Sequence, residues 1–245
     1  MKLSRKISKL GLPETYARAH RKIRRALSPI PLRPLLGRID KKRLREIQQR
    51  YASSSENYAK YADVERWLKR HIKKIQDLDL HRSPPKEILD LGCGGGFFLF
   101  IAKQVGHSVT GLDIDEFPLL GELLELFDVP RKVWAIKPFE PLPDFGRKFD
   151  WITAFSTRFN RDREDRHVWG VKEWEFFLDD LTRHLQPAGK VFLEINSGKT
   201  RSYYPEEVRD LFRGRGAILE RDYVYFPKGL HPHPLPQGEA DAKRP

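Results

Sequence analysis

Ile88-Leu89-Asp90-Leu91-Gly92-Cys93-Gly94-Gly95-Gly96-Phe97-Phe98 decides how this chain is read. A short apolar run ends in an acid, glycines alternate at 92, 94 and 96, and helical apolar spacing follows from Phe97. That order predicts a buried strand feeding a tight turn and then a helix. Glycine suits the turn because the backbone must enter conformations that a Cβ forbids and must let a ligand approach the main chain. The pattern therefore predicts a nucleoside-sized site at the carboxyl end of a parallel strand.

Spacing separates the cofactors that use such a turn. Dinucleotide folds want G-x-G-x-x-G, but the third glycine would fall at Phe97 counted from Gly92 and at Leu99 counted from Gly94. The chain reads D-x-G-x-G-x-G from Asp90 to Gly96. This resembles the first motif of class I S-adenosylmethionine-dependent methyltransferases, and the segments downstream extend the likeness. A helix at about 97–105 leads to Ser108–Asp115, a second strand ending in carboxylates. Asp113 follows Gly92 by 21 residues, close to the spacing of about 20 at which a Rossmann-type acid reaches ribose hydroxyls. Arg131–Ile136 is a third strand candidate, and Lys148–Phe155 resembles the family's fourth strand, which opens with Phe-Asp. A helix from Glu173 to Leu185 then runs through Gln186-Pro187-Ala188-Gly189-Lys190 into a strand, Val191–Asn196. In the family a Leu-x-Pro-Gly-Gly turn stands here, and Ala188 replaces its first glycine.

The resemblance covers roughly residues 84–226. It implies an α/β fold, a Rossmann-like, doubly wound, mainly parallel sheet of six or seven strands, with a helical extension at the N-terminal side. It implies S-adenosyl-L-methionine as cofactor, bound by Asp90, Gly92, Cys93, Gly94, Gly96, Asp113, Ile114 and Phe155. Two departures stand out. The acid that many members carry after strand three has no clear counterpart in Ile136-Lys137-Pro138-Phe139-Glu140, so either a displaced Glu140 or stacking by Phe139 would meet the adenine. Only one clear strand, Ala217–Phe226, follows the helix Pro205–Arg213; a sheet of seven requires Asp222 to interrupt two very short strands.

At 245 residues and 39% hydrophobic, the chain can bury one α/β core with appendages. No apolar run reaches membrane-span length and no secretory apolar stretch follows the N-terminus. Cys93 is the only cysteine, which excludes an intramolecular disulfide and suits a reducing cytoplasm. Its place in the turn predicts a small lining residue rather than a nucleophile.

The net charge of +12 is unevenly spread. Residues 1–45 hold 15 Lys and Arg against Glu14 and Asp40, leaving the other 200 residues near neutrality. Tyr16, Ala19, Ile23 and Leu27 fall near helical spacing among these cations. Such an arm suits an anionic membrane surface, nucleic acid, a transit signal or a solvated, partly disordered extension. The prolines at 29, 31 and 34 end it, giving an arm of 1–39. A helical extension, 40–82, follows, with apolar positions every three to four residues and a split at Ser53-Ser54-Ser55, Ser55 being the candidate cap of its second helix. In the family such helices form a lid that often presents a tyrosine, a part open to Tyr58 or Tyr61, though aromatic spacing of this kind also serves a core. The methyltransferase domain is bounded at 83–226. The tail, 227–245, is proline-rich and expected to be disordered, and His231 and His233 make a poor metal site.

Methyl transfer from a sulfonium needs a dedicated base only when the acceptor is a poor nucleophile. The loop after strand four, Ser156–Gly170, carries Asn160, His167 and Trp169 toward the expected mouth of the site. His167 is the candidate catalytic base because an imidazole titrates near neutrality; a surface histidine in a charged loop is the plainer alternative. His107 and His184 are set aside by their positions in a helix-to-strand turn and a helix's last turn. No Asn-Pro-Pro-Tyr or Asp-Pro-Pro-Tyr follows strand four, which argues against planar amines, and no second cysteine could form a cytosine adduct. Oxygen, nitrogen or carbon methylation of a small-molecule, lipid or sugar-linked acceptor is left. A non-catalytic cofactor-binding scaffold and a nucleic-acid-binding protein acting through its arm are the competing readings.

Overall fold

The computed structural model describes Ile23 and residues 25–161, 167–196, 203–220 and 223–230. Ahead of the sheet lie α1 (Leu32–Leu36), α2 (Lys41–Tyr51), a 3-10 turn at Asn57–Ala62 and α3 (Val64–Asp77). The Asp40 side chain accepts hydrogen bonds from the Lys42 and Arg43 amides at 2.8 and 3.1 Å, satisfying two donors that the first turn of α2 leaves free. The second helix is capped by Asp63, which accepts from the Arg66 amide at 3.2 Å, and not by Ser55. The serines precede the 3-10 turn, so the split in the pattern is real but longer than a single cap.

The rest alternates strand and helix: β1 (Glu87–Leu91), α4 (Phe97–Gln104), β2 (Ser108–Asp113), α5 (Pro118–Leu126), β3 (Arg131–Val133) and β4 (Phe149–Thr157). Then follow α6 (Val171–His184), β5 (Leu185–Ile195), α7 (Glu206–Gly214), β6 (Ile218–Leu219) and β7 (Tyr223–Phe226). The seven strands lie in the order β3-β2-β1-β4-β5-β7-β6, with β7 antiparallel to both neighbours and the others parallel. The sheet therefore has seven strands: Ala217–Phe226 is two short strands rather than one, joined through the Glu220 amide on the Tyr223 carbonyl at 3.0 Å. The turn expected at 186–190 lies within β5, where a Cβ on Gly189 would stand 2.9 Å from the Phe149 carbonyl oxygen. Helix α5 had no counterpart in the sequence pattern.

Alternation along the strands feeds two cores, one per face. On β1, Ile88 joins α3, α4 and α5, while Leu89 and Leu91 join α6 and α7. Phe149 and Trp151 share a parity yet face opposite cores, because the pairing of β4 with β5 shifts register between them. α4 is apolar almost all round, from Phe97 to Ala102, because it is packed between the sheet and α3. Leu35 and Ile39 are buried in the same core, so packing begins ahead of residue 40. At the other end, Leu230 packs against the second core, beyond the expected domain boundary at 226. Residues 1–22 and 231–245, which hold most of the expected arm and tail and the histidines at 231 and 233, lie outside the described residues. Among the described residues, no helix is long and apolar enough to cross a membrane.

Candidate active site

The strand order reverses between β1 and β4, the switch point at which open α/β sheets hold ligands. A cavity of about 700 Å³ opens there, within the ordinary range of small-molecule sites. Its floor is the turn after β1. Gly92 and Gly94 have φ of +70° and +54°. A Cβ on Gly92 would come within 2.5 Å of Thr157 Cγ2, whereas one on Gly94 would meet nothing within 4 Å, so the Gly94 main chain stands bare toward open space.

The tip of β2 supplies the acid. The Asp113 carboxylate accepts the Gly94 amide on Oδ2 at 2.5 Å and the Ile114 amide on Oδ1 at 2.8 Å. These bonds clamp the acid to the turn and still leave each oxygen a lone-pair site facing the cavity. Burial raises the Asp113 pKa, and the two amide bonds and Arg131 oppose that rise. Arg131 steadies the segment by donating to the Ile114 carbonyl at 3.2 Å and pairing with Asp115 at 2.6 Å. Trp134, Ala135 and Ile136 continue the wall as an apolar surface.

The tip of β4 is irregular. Ser156 holds φ of +57°, and the pairing with β5 shifts register between Phe155 and Thr157. Strain of this kind is maintained only where surroundings fix it; here Ser156 Oγ donates to Glu194 Oε1 at 2.9 Å, and the Asn196 amide donates to the Thr157 carbonyl at 2.8 Å. Phe155, Ser156 and Thr157 all line the cavity, and Thr157 Oγ1 is buried without a hydrogen-bond partner among the described residues.

The remaining wall comes from the 3-10 turn and α3, with Lys60, Tyr61, Trp67, Arg70, His71 and Lys74. His71 Nδ1–H donates to the Trp67 carbonyl at 2.9 Å, which makes Nε2 the unprotonated nitrogen. Burial pulls its pKa down to about 4, with Lys74 and Arg70 adding to that effect, so the ring is neutral at physiological pH. Its face stacks on Phe97 at 5.8 Å. Lys74 pairs with Glu194. Acids thus come from the β2 side (Asp113 and Glu116), and cations from α3 and the loop after β4 (Arg70, Lys74, Arg158 and Arg161).

Of the residues marked from sequence, Gly92, Cys93, Gly94, Asp113, Ile114 and Phe155 line the cavity together. Asp90 and Gly96 do not: Asp90 lies buried behind the turn, accepting from Thr153 Oγ1 at 2.7 Å, and a Cβ on Gly96 would press into Leu124 at 2.6 Å. Their place is in holding the turn's shape. Burial drives the Cys93 thiol well above its ordinary pKa, in keeping with a lining rather than a nucleophilic role. His167 lies outside the wall, its side chain 61% exposed and 3.9 Å from Glu173. Asn160 and Trp169, expected near the mouth, are both buried, Trp169 in the second core and Asn160 between Phe159 and Arg161, which line the cavity. Phe139 and Glu140 are also outside: Phe139 packs on Phe176, and Glu140 pairs with Lys137 at 3.2 Å. Tyr61 lines the cavity, whereas Tyr58 packs on Phe117 at 5.0 Å.

The site fits S-adenosylmethionine on three features of this chain. The Gly94 main chain is open where the ligand must come close, the Asp113 carboxylate has acceptor capacity for a ribose diol, and Thr157 carries an unpartnered buried hydroxyl. Ile114, Trp134 and Ile136 would cover a base, and Gly92 with the α3 side chains would meet the amino-acid end.

No family profile matches the chain. It is 29% identical over 150 residues to a ubiquinone biosynthesis O-methyltransferase of Dechloromonas aromatica, covering 60% of this chain and 56% of that one. It is 29% identical over 111 residues to a tRNA U34 carboxymethyltransferase of Campylobacter hominis, covering 44% and 35%. The matched stretch spans little more than half the length of the first relative. Among solved structures, Streptomyces venezuelae DesVI superposes with a TM-score of 0.47 at 14% identity, covering 68% of this chain and 92% of that one.

Proposed function

We propose that this chain, which belongs to the class I S-adenosylmethionine-dependent methyltransferase family, moves the cofactor's methyl group to an oxygen, nitrogen or carbon nucleophile of a small-molecule, lipid or sugar-linked acceptor. One observation carries the reading: a bare glycine turn and a clamped carboxylate face the same cavity, and a second, polar wall from α3 closes its other side. The O-methyltransferase among the relatives favours oxygen within that set.

When bound, the cofactor supplies an electrophilic methyl on a sulfonium, so the protein's task is alignment and dryness. Asp113 holds the sugar, and the apolar strip Ile114–Trp134–Ile136 receives the base. Tyr61, Trp67 and Phe97 pack against one another at 4.6 to 6.5 Å and keep water from the α3 side. His71 Nε2 accepts the hydrogen of the acceptor's O–H or N–H and turns its lone pair toward the methyl. Alignment of this sort supplies about 7–11 kcal/mol of a barrier. The single cysteine suits a cytoplasmic setting, and the basic arm suits contact with an anionic membrane.

Titration calorimetry with S-adenosylhomocysteine tests the reading. Micromolar binding by the wild type and a loss of about a hundredfold in Asp113→Ala are expected, since hydrogen bonds to a charged group contribute about 1.5–3 kcal/mol each. Absence of binding overturns it. Transfer of labelled methyl into extract fractions then separates an enzyme from a scaffold.

A further inference from the structure

We infer that the exposed face of α3 is a docking surface for an anionic lipid bilayer, carrying the basic N-terminal arm's attraction to the rim of the active-site cavity. Arg66, Lys69, Arg70 and Lys73 recur at three- and four-residue spacing, so they lie along one side of the helix, and all four are exposed. Among the described residues, only Lys69 of these has a carboxylate partner, Glu65 at 2.5 Å. Among the described residues, Arg66 and Lys73 have none, and Arg70 rests over the Trp67 ring at 5.4 Å. Arg70 is also part of the cavity wall, which joins the stripe to the site. The acids of α3 and its cap are Asp63, spent on the helix cap, Glu65, and Asp77.

The stripe's other end meets the arm. One turn beyond Lys73, Asp77 accepts Arg25 Nε at 2.8 Å, and Gln76 donates to the Arg25 and Ser28 carbonyls at 3.1 and 2.8 Å. Residues 1–22, which precede this anchor, carry seven Lys and Arg against one Glu. The stripe thus runs from the Arg25 anchor, where the described part of the basic arm meets α3, to Arg70 at the cavity.

Apolar groups in the same region select a bilayer over a nucleic acid. Ile23 and Leu27 are 57% and 79% exposed, four residues apart on either side of the Arg25 anchor. Phe117, which lines the cavity, is 37% exposed. Cations flanked by exposed aliphatic and aromatic side chains match a headgroup layer over acyl chains; a phosphate backbone would need the cations alone.

The test uses the full chain and sedimentation with vesicles of phosphatidylglycerol and phosphatidylcholine, against phosphatidylcholine alone, with transfer RNA as a second probe. Binding only to the anionic vesicles is expected. Arg66→Gln with Lys73→Gln should weaken it about thirtyfold at low salt, each cation near an anionic surface contributing about fivefold. Leu27→Ser should weaken vesicle binding about tenfold and leave transfer RNA unaffected. Equal binding to neutral vesicles, no binding, unchanged binding in the α3 variant, or transfer-RNA binding tighter than vesicle binding overturns the inference. Calorimetry with S-adenosylhomocysteine on the same preparations keeps the two readings apart: the α3 variant should bind it as the wild type does, and a wild type that sediments with vesicles but binds no cofactor sinks only the proposed function.

Discussion

The two halves of the cavity are built by different means. The half formed by the turn after β1 and the tips of β2 and β3 sets a bare main-chain turn and an apolar strip around one carboxylate, clamped by two amides at 2.5 and 2.8 Å. The half formed by α3 and the tip of β4 is side chain: an imidazole, an ion pair, stacked rings and a strained serine. Backbone geometry tolerates few sequences, since Gly92 would overlap Thr157 with any Cβ. Side-chain walls can be repainted without disturbing the sheet. On the proposed reading, the first half would serve the cofactor and the second the acceptor.

That contrast sets the order of effects. The Asp113→Ala loss described above is the largest, because a buried acid answers directly to the ligand. Next is His71→Phe, which keeps the ring that stacks on Phe97 and removes both nitrogens. Turnover, read as labelled methyl entering the accepting fraction, should fall about tenfold to a hundredfold, with S-adenosylhomocysteine affinity within threefold of wild type. The wild-type profile should show no decline from this group between pH 6 and 9, because its pKa is held at about 4. A variant that loses cofactor affinity and keeps its turnover would move His71 from the acceptor to the cofactor.

A smaller effect separates a residue that shapes the turn from one that touches ligand. Burial holds the Asp90 carboxyl up to about pH 8, against which the Thr153 hydroxyl acts only partly. An unfolded aspartate ionises near 3.9. Between those values the unfolded chain binds fewer protons than the folded one, so this group's contribution to stability is fullest in acid and declines as pH rises toward 8. Asp90→Asn removes the titration. The melting temperature of the variant, measured against wild type from pH 5 to 8, should gain steadily on it as pH rises, with cofactor affinity little changed. A difference that is flat with pH would show that Asp90 ionises normally and is reached by solvent.

The same division explains what could be read from the chain beforehand. The strand, turn, helix and second acid lie in short contiguous patterns, so Gly92, Gly94, Asp113 and Ile114 were legible as a group, and so was the class of fold. Asp90 and Gly96 belong to the same motif, yet the motif does not say which of its members face the ligand and which face the core. The α3 wall was illegible for another reason. Its apolar periodicity runs through Leu68, Ile72 and Ile75, the buried face, while Trp67, His71 and Lys74 lie along an adjacent side at the same spacing. An imidazole three and four residues from Lys74 and Trp67 on the helix next to a cofactor turn was the available signal. Phe139 and Glu140 do not reach the cavity because strand β3 stops at Val133 and Trp134–Ile136 already line it.

The weakest effect falls on the one candidate base that the sequence offers. His167 offers an imidazole in the loop after β4, and sequence position alone puts it near the site. Its side chain instead lies 61% exposed beside Glu173, whose carboxylate also caps α6 by accepting the Gly170 amide at 3.0 Å. A ring that close to an acid and open to solvent forms at most a surface pair, of the kind that contributes about 0–1 kcal/mol. His167→Ala should change neither S-adenosylhomocysteine affinity nor methyl transfer by more than twofold, and should move the melting temperature by about 4 °C or less. A hundredfold loss of transfer with cofactor binding intact would mean that the loop carries this ring into the cavity when the acceptor binds. In that event the acceptor half would be assembled by the substrate, and His71 would be a wall rather than the group that meets the nucleophile.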